Sequence, residues 1–260
     1  MNKILENVRC FLFDLDGTVY LGGKLIDGAK DVFKRIKSLD KRFAFVTNNS
    51  SKTVDEYFEK LKGFGIELEK SDIITSNMVA IDYLKKNFKD KKVYLFAPEN
   101  VKKEYKTNGI NVTKDYKSCD VSVLTYNTSI NYKDLCEFIF SVNNGSYYVA
   151  THPDINCPSD FGSLPDAGSF AELIYASTKK RPQKFFGKPD IILGEFVKKL
   201  CKLSSDKIAM TGDRLYTDME LAQNSGFKSV LVLSGETKKE MITKKYDLVI
   251  DSIKELIDLL

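Results

Sequence analysis

Short, nearly continuous apolar runs alternate along this chain with stretches whose apolar residues recur every three or four positions. Val8–Phe13, written VRCFLF, is a run of the kind found in strands covered on both faces. Ala29, Val32, Phe33 and Ile36 then fall at i, i+3, i+4 and i+7, which predicts one buried helix face. RFAFV at 42–46 predicts a second strand. Thr53 and Glu56 make a capping-box pair for a helix that should end near Gly63 and Gly65. Strand, helix, strand, helix is the order of a parallel sheet.

The last third resumes the alternation. QKFF (183–186), KIAM (207–210), SVLVL (229–233) and DLVI (247–250) read as strands. PDIILGEFVKKLCKL lies between the first two as a helix, and SIKELIDLL closes the chain as an amphipathic one. The middle, from about Ser76 to Ser177, has its own series. KVYLFA, VSVLTY and SYYVAT read as strands, and MVAIDYLKKNF, NYKDLCEFIFSV and SFAELIYAST as helices. Two arrangements fit this pattern: one long sheet, or a small α/β domain inserted into a larger one.

Open parallel sheets bind ligands beyond the carboxyl ends of their strands. Four predicted strands of the first and last thirds end in polar residues: at Asp14, at Thr47-Asn48-Asn49, at Lys188 and at Asp213. If those strands are parallel neighbours, carboxylates, a hydroxyl, an amide pair and an ammonium meet at one edge. Crowded carboxylates call for a hard cation such as Mg²⁺, while lysine, hydroxyl and backbone N–H groups suit phosphate. The combination suits phosphoryl transfer, in which a carboxylate can itself attack phosphorus. Asp14 and Asp16, two apart on an extended segment, face the same side, so one can attack while the other handles a proton. Gly17 lets the backbone turn closely round a phosphate.

Composition narrows the alternatives. The chain has 260 residues, 43% hydrophobic and 29% charged, with a net charge of +4 from 40 basic and 36 acidic side chains. That is an ordinary globular composition, and the basic excess is too small and too scattered to argue for nucleic acid. No apolar stretch reaches the ~20 residues needed to span a bilayer and no signal-peptide core is present, so a cytoplasmic location is expected. Cys10, Cys119, Cys136, Cys157 and Cys201 form no C-x-x-C pair, so they are expected to be reduced thiols, mostly buried. A single histidine, His152, excludes a multi-histidine zinc site. G-x-S-x-G, Walker and G-x-G-x-x-G patterns are missing, and no cysteine has an arginine six positions on.

FDLDGTVY, FVTNNSS, FGKPD and MTGDRLYTDMELAQNSGF resemble, in order and spacing, the four motifs of the haloacid dehalogenase (HAD) phosphatase superfamily, in its NagD-like, p-nitrophenyl phosphatase branch. The resemblance runs over nearly the whole chain. It implies a doubly wound, Rossmann-like α/β core of residues 1–77 and 178–260 with a smaller α/β cap, 78–177, inserted to select substrate. It implies Asp14 as nucleophile and Asp16 as general acid and base. Thr47, Asn48 and Lys188 would hold phosphate; Leu15, Gly17, Asn49, Arg214 and His152 complete the phosphate- and substrate-binding set. Mg²⁺ would sit on the Asp14 carboxylate, the Asp16 carbonyl and Asp213, with Asp218 supporting its water shell.

The expected activity is Mg²⁺-dependent hydrolysis of small phosphorylated metabolites, with p-nitrophenyl phosphate as an artificial substrate. Phosphoglycolate, glycerol phosphate, sugar phosphates, nucleoside monophosphates and pyridoxal phosphate are all candidates for the natural one. A phosphotransferase or phosphomutase on the same core, and a phosphorylated switch or binding protein, are the alternatives. Intact acidic and lysine positions argue against a dead scaffold. The resemblance also suggests a homodimer, since some members of the branch pair through their caps. His152, in THPDINCPSD where relatives often carry Asn, is either an exposed loop residue or a substrate contact. Cys157 reads as a buried thiol.

Overall fold

The computed structural model describes residues 3–159 and 162–260. The chain divides into two compact units. The first takes the stretch up to Thr47, Val54–Ile74 and Lys188–Leu260; the second takes Asn48–Thr53 and Thr75–Gly187.

In chain order the first unit opens with β1 (Cys10–Phe13), a two-residue hairpin β2 (Tyr20–Leu21) and β3 (Lys24–Leu25), α1 (Ala29–Ser38), β4 (Arg42–Thr47), α2 (Val54–Gly63) and β5 (Ile73–Thr75). The helix predicted from its apolar spacing is α1, with Ala29, Val32, Phe33 and Ile36 all buried. Phe33 anchors it, packing on Phe13, Phe43 and Phe45 with ring centroids 5.1, 4.9 and 5.1 Å away. Gly65, at φ +76°, provides the left-handed residue just past α2.

The second unit contains α3 (Ser76–Asn87), β6 (Val93–Phe96), α4 (Glu99–Thr107), β7 (Val112–Thr113), β8 (Val121–Leu124), α5 (Tyr132–Asn143) and β9 (Tyr147–Ala150). The antiparallel pair β10 (Asn156–Ser159) and β11 (Gly162–Pro165) and helix α6 (Ala167–Thr178) follow. The chain returns to the first unit through α7 (Ile191–Cys201), β12 (Ile208–Gly212), α8 (Glu220–Ser225), β13 (Lys228–Val232), β14 (Leu248–Ile250) and α9 (Leu256–Leu259).

Two separate sheets decide between the arrangements left open by the pattern. The larger has six strands in the order β14-β13-β12-β1-β4-β5, and the smaller four in the order β7-β6-β8-β9. Each has its own core. Phe11, Phe13, Phe33, Phe45 and Val230 sit in one, and Tyr94, Phe96, Phe138, Tyr148 and Ile174 in the other. Among the described residues no helix is long and apolar enough to cross a membrane. All five cysteines are free thiols; Cys10 and Cys201 are buried and the other three partly so.

One strand expectation is corrected. QKFF is not a strand of the large sheet. It runs beside β9 in the second unit, where the Gln183 N–H donates to the Tyr148 carbonyl at 2.8 Å and the Ala150 N–H to the Lys184 carbonyl at 3.0 Å. Pro182 and Pro189 bracket the run and offer no N–H, so it is too short to support a central ladder. Lys188 therefore reaches its place on a loop. The chain enters the first unit at Lys188, beyond the division at 178 read from sequence. The sequence pattern also missed β5, α4 and the two hairpins, whose strands are too short or too polar to show a period. SIKELIDLL is shorter than expected as an α-helix, because Ile253–Glu255 form a 3₁₀ turn.

Candidate active site

β1 lies between β12 and β4, parallel to both, with Phe13 opposite Thr211 on one side and Phe45 on the other. One residue further, the Asp14 N–H donates to the Thr211 carbonyl at 2.9 Å. This register puts Asp14 at the sheet edge between Thr47, at the end of β4, and Asp213, just past β12. Asp14, Thr47 and Asp213 are all buried.

Beyond Asp14 the backbone folds tightly. The Leu15 carbonyl accepts N–H groups from Val19 at 2.9 Å and Tyr20 at 3.1 Å, and Gly17 takes φ +86°. A Cβ at Gly17 would stand 2.5 Å from Asp213 Oδ2, so only glycine fits both the conformation and the space. The Leu15 side chain belongs to the hydrophobic core, which leaves only its backbone for any ligand. Asp16 is half-buried, and the Tyr20 hydroxyl donates to its Oδ2 at 3.2 Å. Burial first and the Asp14 charge second raise its pKa, while Lys60, the Tyr20 hydrogen bond and Arg214 oppose them. Lys60, from α2, stands 3.5 Å over the Tyr20 ring.

Lys188 is 3% exposed and joins two carboxylates. Its Nζ donates to Asp14 Oδ1, and to Asp218 Oδ1 at 2.6 Å. Burial works against its charge, but Asp14 and Asp218 outweigh that and hold its pKa above the ordinary lysine value. Asp218 sits on a π-helical turn, Leu215–Met219, and its Oδ2 accepts the Arg214 N–H at 3.1 Å. A Cβ on Gly212 would overlap the Asp218 carboxylate, so this glycine makes the room that Asp218 occupies. The Arg214 guanidinium faces Glu236, Nε to Oε2 at 3.1 Å.

Asp14, Asp213 and Asp218 bring carboxylate oxygens within 4.8 Å of one another. Three carboxylates face one ammonium, so full ionisation leaves two negative charges in excess. Burial, then Asp14 and Asp218, push Asp213 up to about 7. Burial, with Asp14 adding and Lys188 opposing, pushes Asp218 up to about 6. An oxygen-only donor set with this excess fits a hard divalent cation.

The remaining sequence candidates belong to the second unit. The Asn48 side chain donates from Nδ2 to Asp154 Oδ1 at 2.9 Å, and Gly187 leaves space for its Oδ1. Asn49 Oδ1 takes the Ser51 N–H at 3.1 Å and the Ser51 hydroxyl at 2.7 Å, a local turn. His152 is fully buried, which removes the exposed-loop reading. Its Nδ1 faces Asp154 Oδ2 at 3.9 Å and its Nε2 faces Asp166 Oδ1 at 3.5 Å. Asp166 also caps α6. Cys157, on β10, is half-buried beside Asn49.

Sequence reasoning missed Tyr20, Lys60, Gly212 and Glu236. Gly212 carried a usable signal, a glycine directly ahead of an acidic residue at a strand end. Lys60 carried none, being one lysine among several on a solvated helix.

The sequence matches the family described as haloacid dehalogenase-like hydrolase over residues 11–111, and a second HAD-hydrolase-like family over residues 185–256. It is 30% identical to the 5'-nucleotidase YutF of Bacillus subtilis over 97% of this chain and 99% of that one. An acid sugar phosphatase of Staphylococcus haemolyticus is also 30% identical, over 97% and 95%. Among solved structures, the 4-nitrophenylphosphatase of Thermotoga maritima superposes with a TM-score of 0.95 at 34% identity, covering 100% of both chains. The p-nitrophenyl phosphatase of Archaeoglobus fulgidus gives 0.91 at 25%, covering 97% and 99%. With sheet order, strand-end carboxylates and full-length matches in agreement, the chain belongs to the haloacid dehalogenase-like hydrolases, in the branch of the NagD and p-nitrophenyl phosphatase proteins.

Proposed function

We propose that this phosphoric monoester hydrolase acts on small phosphorylated metabolites through an aspartyl-phosphate on Asp14. One observation carries the reading. A buried carboxylate at the end of the central strand is held by one buried lysine beside two further carboxylates. Asp14 attacks phosphorus, the bond from phosphorus to the leaving oxygen breaks, and protonated Asp16 gives that oxygen its proton. Asp16, now a carboxylate, takes a proton from water. The water oxygen attacks phosphorus, the Asp14–phosphorus bond breaks, and inorganic phosphate leaves with Asp14 regenerated. The raised pKa of Asp16 favours the protonated form that the first step needs. Lys188, with Thr47, offers donors to the phosphoryl oxygens.

Asp14, Asp213 and the Asp16 carbonyl would hold Mg²⁺, with Asp218 supporting its waters. Bound there, the cation supplies positive charge against the carboxylates and the phosphoryl group. Sugar phosphates, nucleoside 5'-monophosphates and p-nitrophenyl phosphate are the first substrates to try, since relatives carry those names.

The test is phosphate release from p-nitrophenyl phosphate with Mg²⁺, with a chelator, and with Asp14→Asn. Turnover should require the metal and fall at least about 1000-fold in the variant. The variant should melt no lower than the parent without metal, because it removes one charge from a cluster with an excess. Near-normal turnover by folded Asp14→Asn rejects the mechanism. Transfer of phosphate to an added alcohol in preference to water would favour a phosphotransferase.

A further inference from the structure

The loop Ser234–Thr237 leaves the carboxyl end of β13 and touches both carboxylate-bearing loops of the first unit. Ser234 Oγ donates to the Gly17 carbonyl at 2.7 Å. The Glu236 N–H donates to Asp213 Oδ2 at 2.7 Å. Thr237 donates twice to the Asp213 carbonyl, from Oγ1 at 2.5 Å and from N–H at 3.2 Å. Gly235 lies against the same carboxylate. A Cβ there would overlap Asp213 Oδ2, while its backbone stays outside the left-handed region, so the close approach alone calls for glycine. The side chain of Glu236 closes the loop outward, facing Arg214 Nε and accepting from the Tyr216 hydroxyl, each at 3.1 Å.

These contacts have a directional consequence. With Oδ2 taken by a backbone N–H, the Asp213 carboxylate cannot rotate freely. Its Oδ1, approached by Thr18 Oγ1 at a long 3.4 Å, is the oxygen left for a cation. In a cluster with excess negative charge, an unheld carboxylate would turn away from its neighbours. We infer that Ser234–Thr237 is a positioning element of the active site. Thr237 fixes the backbone of Asp213, Gly235 admits its carboxylate, and Ser234 ties the Gly17 turn to both. The inference rests on the reading of Asp213 as a magnesium ligand. Thr237 acts through Asp213 and touches no substrate.

Thr237→Val keeps the side-chain shape and removes the hydroxyl donor, and Thr237→Ser keeps the donor. Magnesium affinity by titration calorimetry should weaken about 10- to 100-fold in Thr237→Val and recover in Thr237→Ser, as expected for a group that orients a ligand. In the metal-free protein, Thr237→Val should melt within about 2 °C of the parent. With p-nitrophenyl phosphate, kcat at saturating metal should fall more than KM rises. Wild-type magnesium affinity in folded Thr237→Val overturns the inference. If that variant does not fold, Gly235→Ala carries the same reading, with weakened affinity supporting the positioning role and unchanged affinity overturning it. Asp213→Asn separates the two levels. Unchanged magnesium binding there overturns the ligand assignment and the inference with it. Weakened binding there beside an unaffected Thr237→Val overturns the positioning role alone.

Discussion

Asp16 and Tyr20 show how one hydroxyl bears on the proton affinity of a half-buried carboxyl group, within limits that burial sets first. Burial and the Asp14 charge raise the Asp16 pKa, and Lys60 and, after it, the Tyr20 hydrogen bond pull it down. Burial first, with the Asp16 charge, pushes the Tyr20 phenol far up, so it stays a donor throughout the working range. Tyr20→Phe removes a contact that favours the ionised Asp16. Asp16 then keeps its proton to higher pH, and the alkaline limb of the kcat profile should move upward in pH. A profile that stays in place or moves downward would show that Asp16 is not the acid. The residue pair Asp14 and Asp16 stood out in the sequence as two carboxylates one residue apart at the end of an apolar run, and the resemblance alone implied their separate roles. Tyr20 was not, because its link to Asp16 depends on the tight turn at Leu15 rather than on any sequence period.

At the scale of elements, a six-residue segment shows how polar contacts tie a stretch of chain to a unit. Asn48–Thr53 follows the last residue of β4, yet its contacts lie in the second unit. The carbonyls of Asn48, Ser50 and Ser51 accept side-chain donors from Ser76 at 2.7 Å, Asn77 at 3.1 Å and Asn100 at 3.2 Å. Ser50 Oγ accepts the Tyr126 N–H at 2.8 Å and pairs with Thr151 Oγ1 at 2.8 Å, all buried. Ser50→Ala strands a buried N–H and should cost about 1–3 kcal/mol in urea unfolding. A loss under about 0.5 kcal/mol would place the segment's stability elsewhere. From sequence this stretch read as a turn after a strand. Partners from five places further along the chain could not be seen in a local pattern.

For the molecule as a whole, the carboxylate cluster makes stability depend on pH. Asp213, pushed up to about 7, and Asp218, pushed up to about 6, lie above the ordinary aspartate value of 3.8. Between about pH 4 and pH 7 the folded protein holds protons that the unfolded chain has released, so metal-free stability falls as pH rises through that window. Mg²⁺ should oppose the fall. Its stabilising shift in melting temperature should be larger at about pH 8 than at about pH 5. An equal shift at both would mean the cation does not bind these carboxylates. The alternation of apolar runs and amphipathic helices by itself determined the α/β class, the elements β1, α1, β4, β12 and β13, and the acidic strand ends. Period and polarity are local properties, written in neighbouring residues. Tertiary structure alone decided the rest: that the main parallel strands form two sheets and not one, that QKFF runs beside β9, that His152 is buried between two carboxylates, and that Ser234–Thr237 grips Asp213. Each of these is set by hydrogen bonds and packing between residues far apart in the chain. Such contacts leave no period in sequence, because their cause is the space the fold leaves between strand ends.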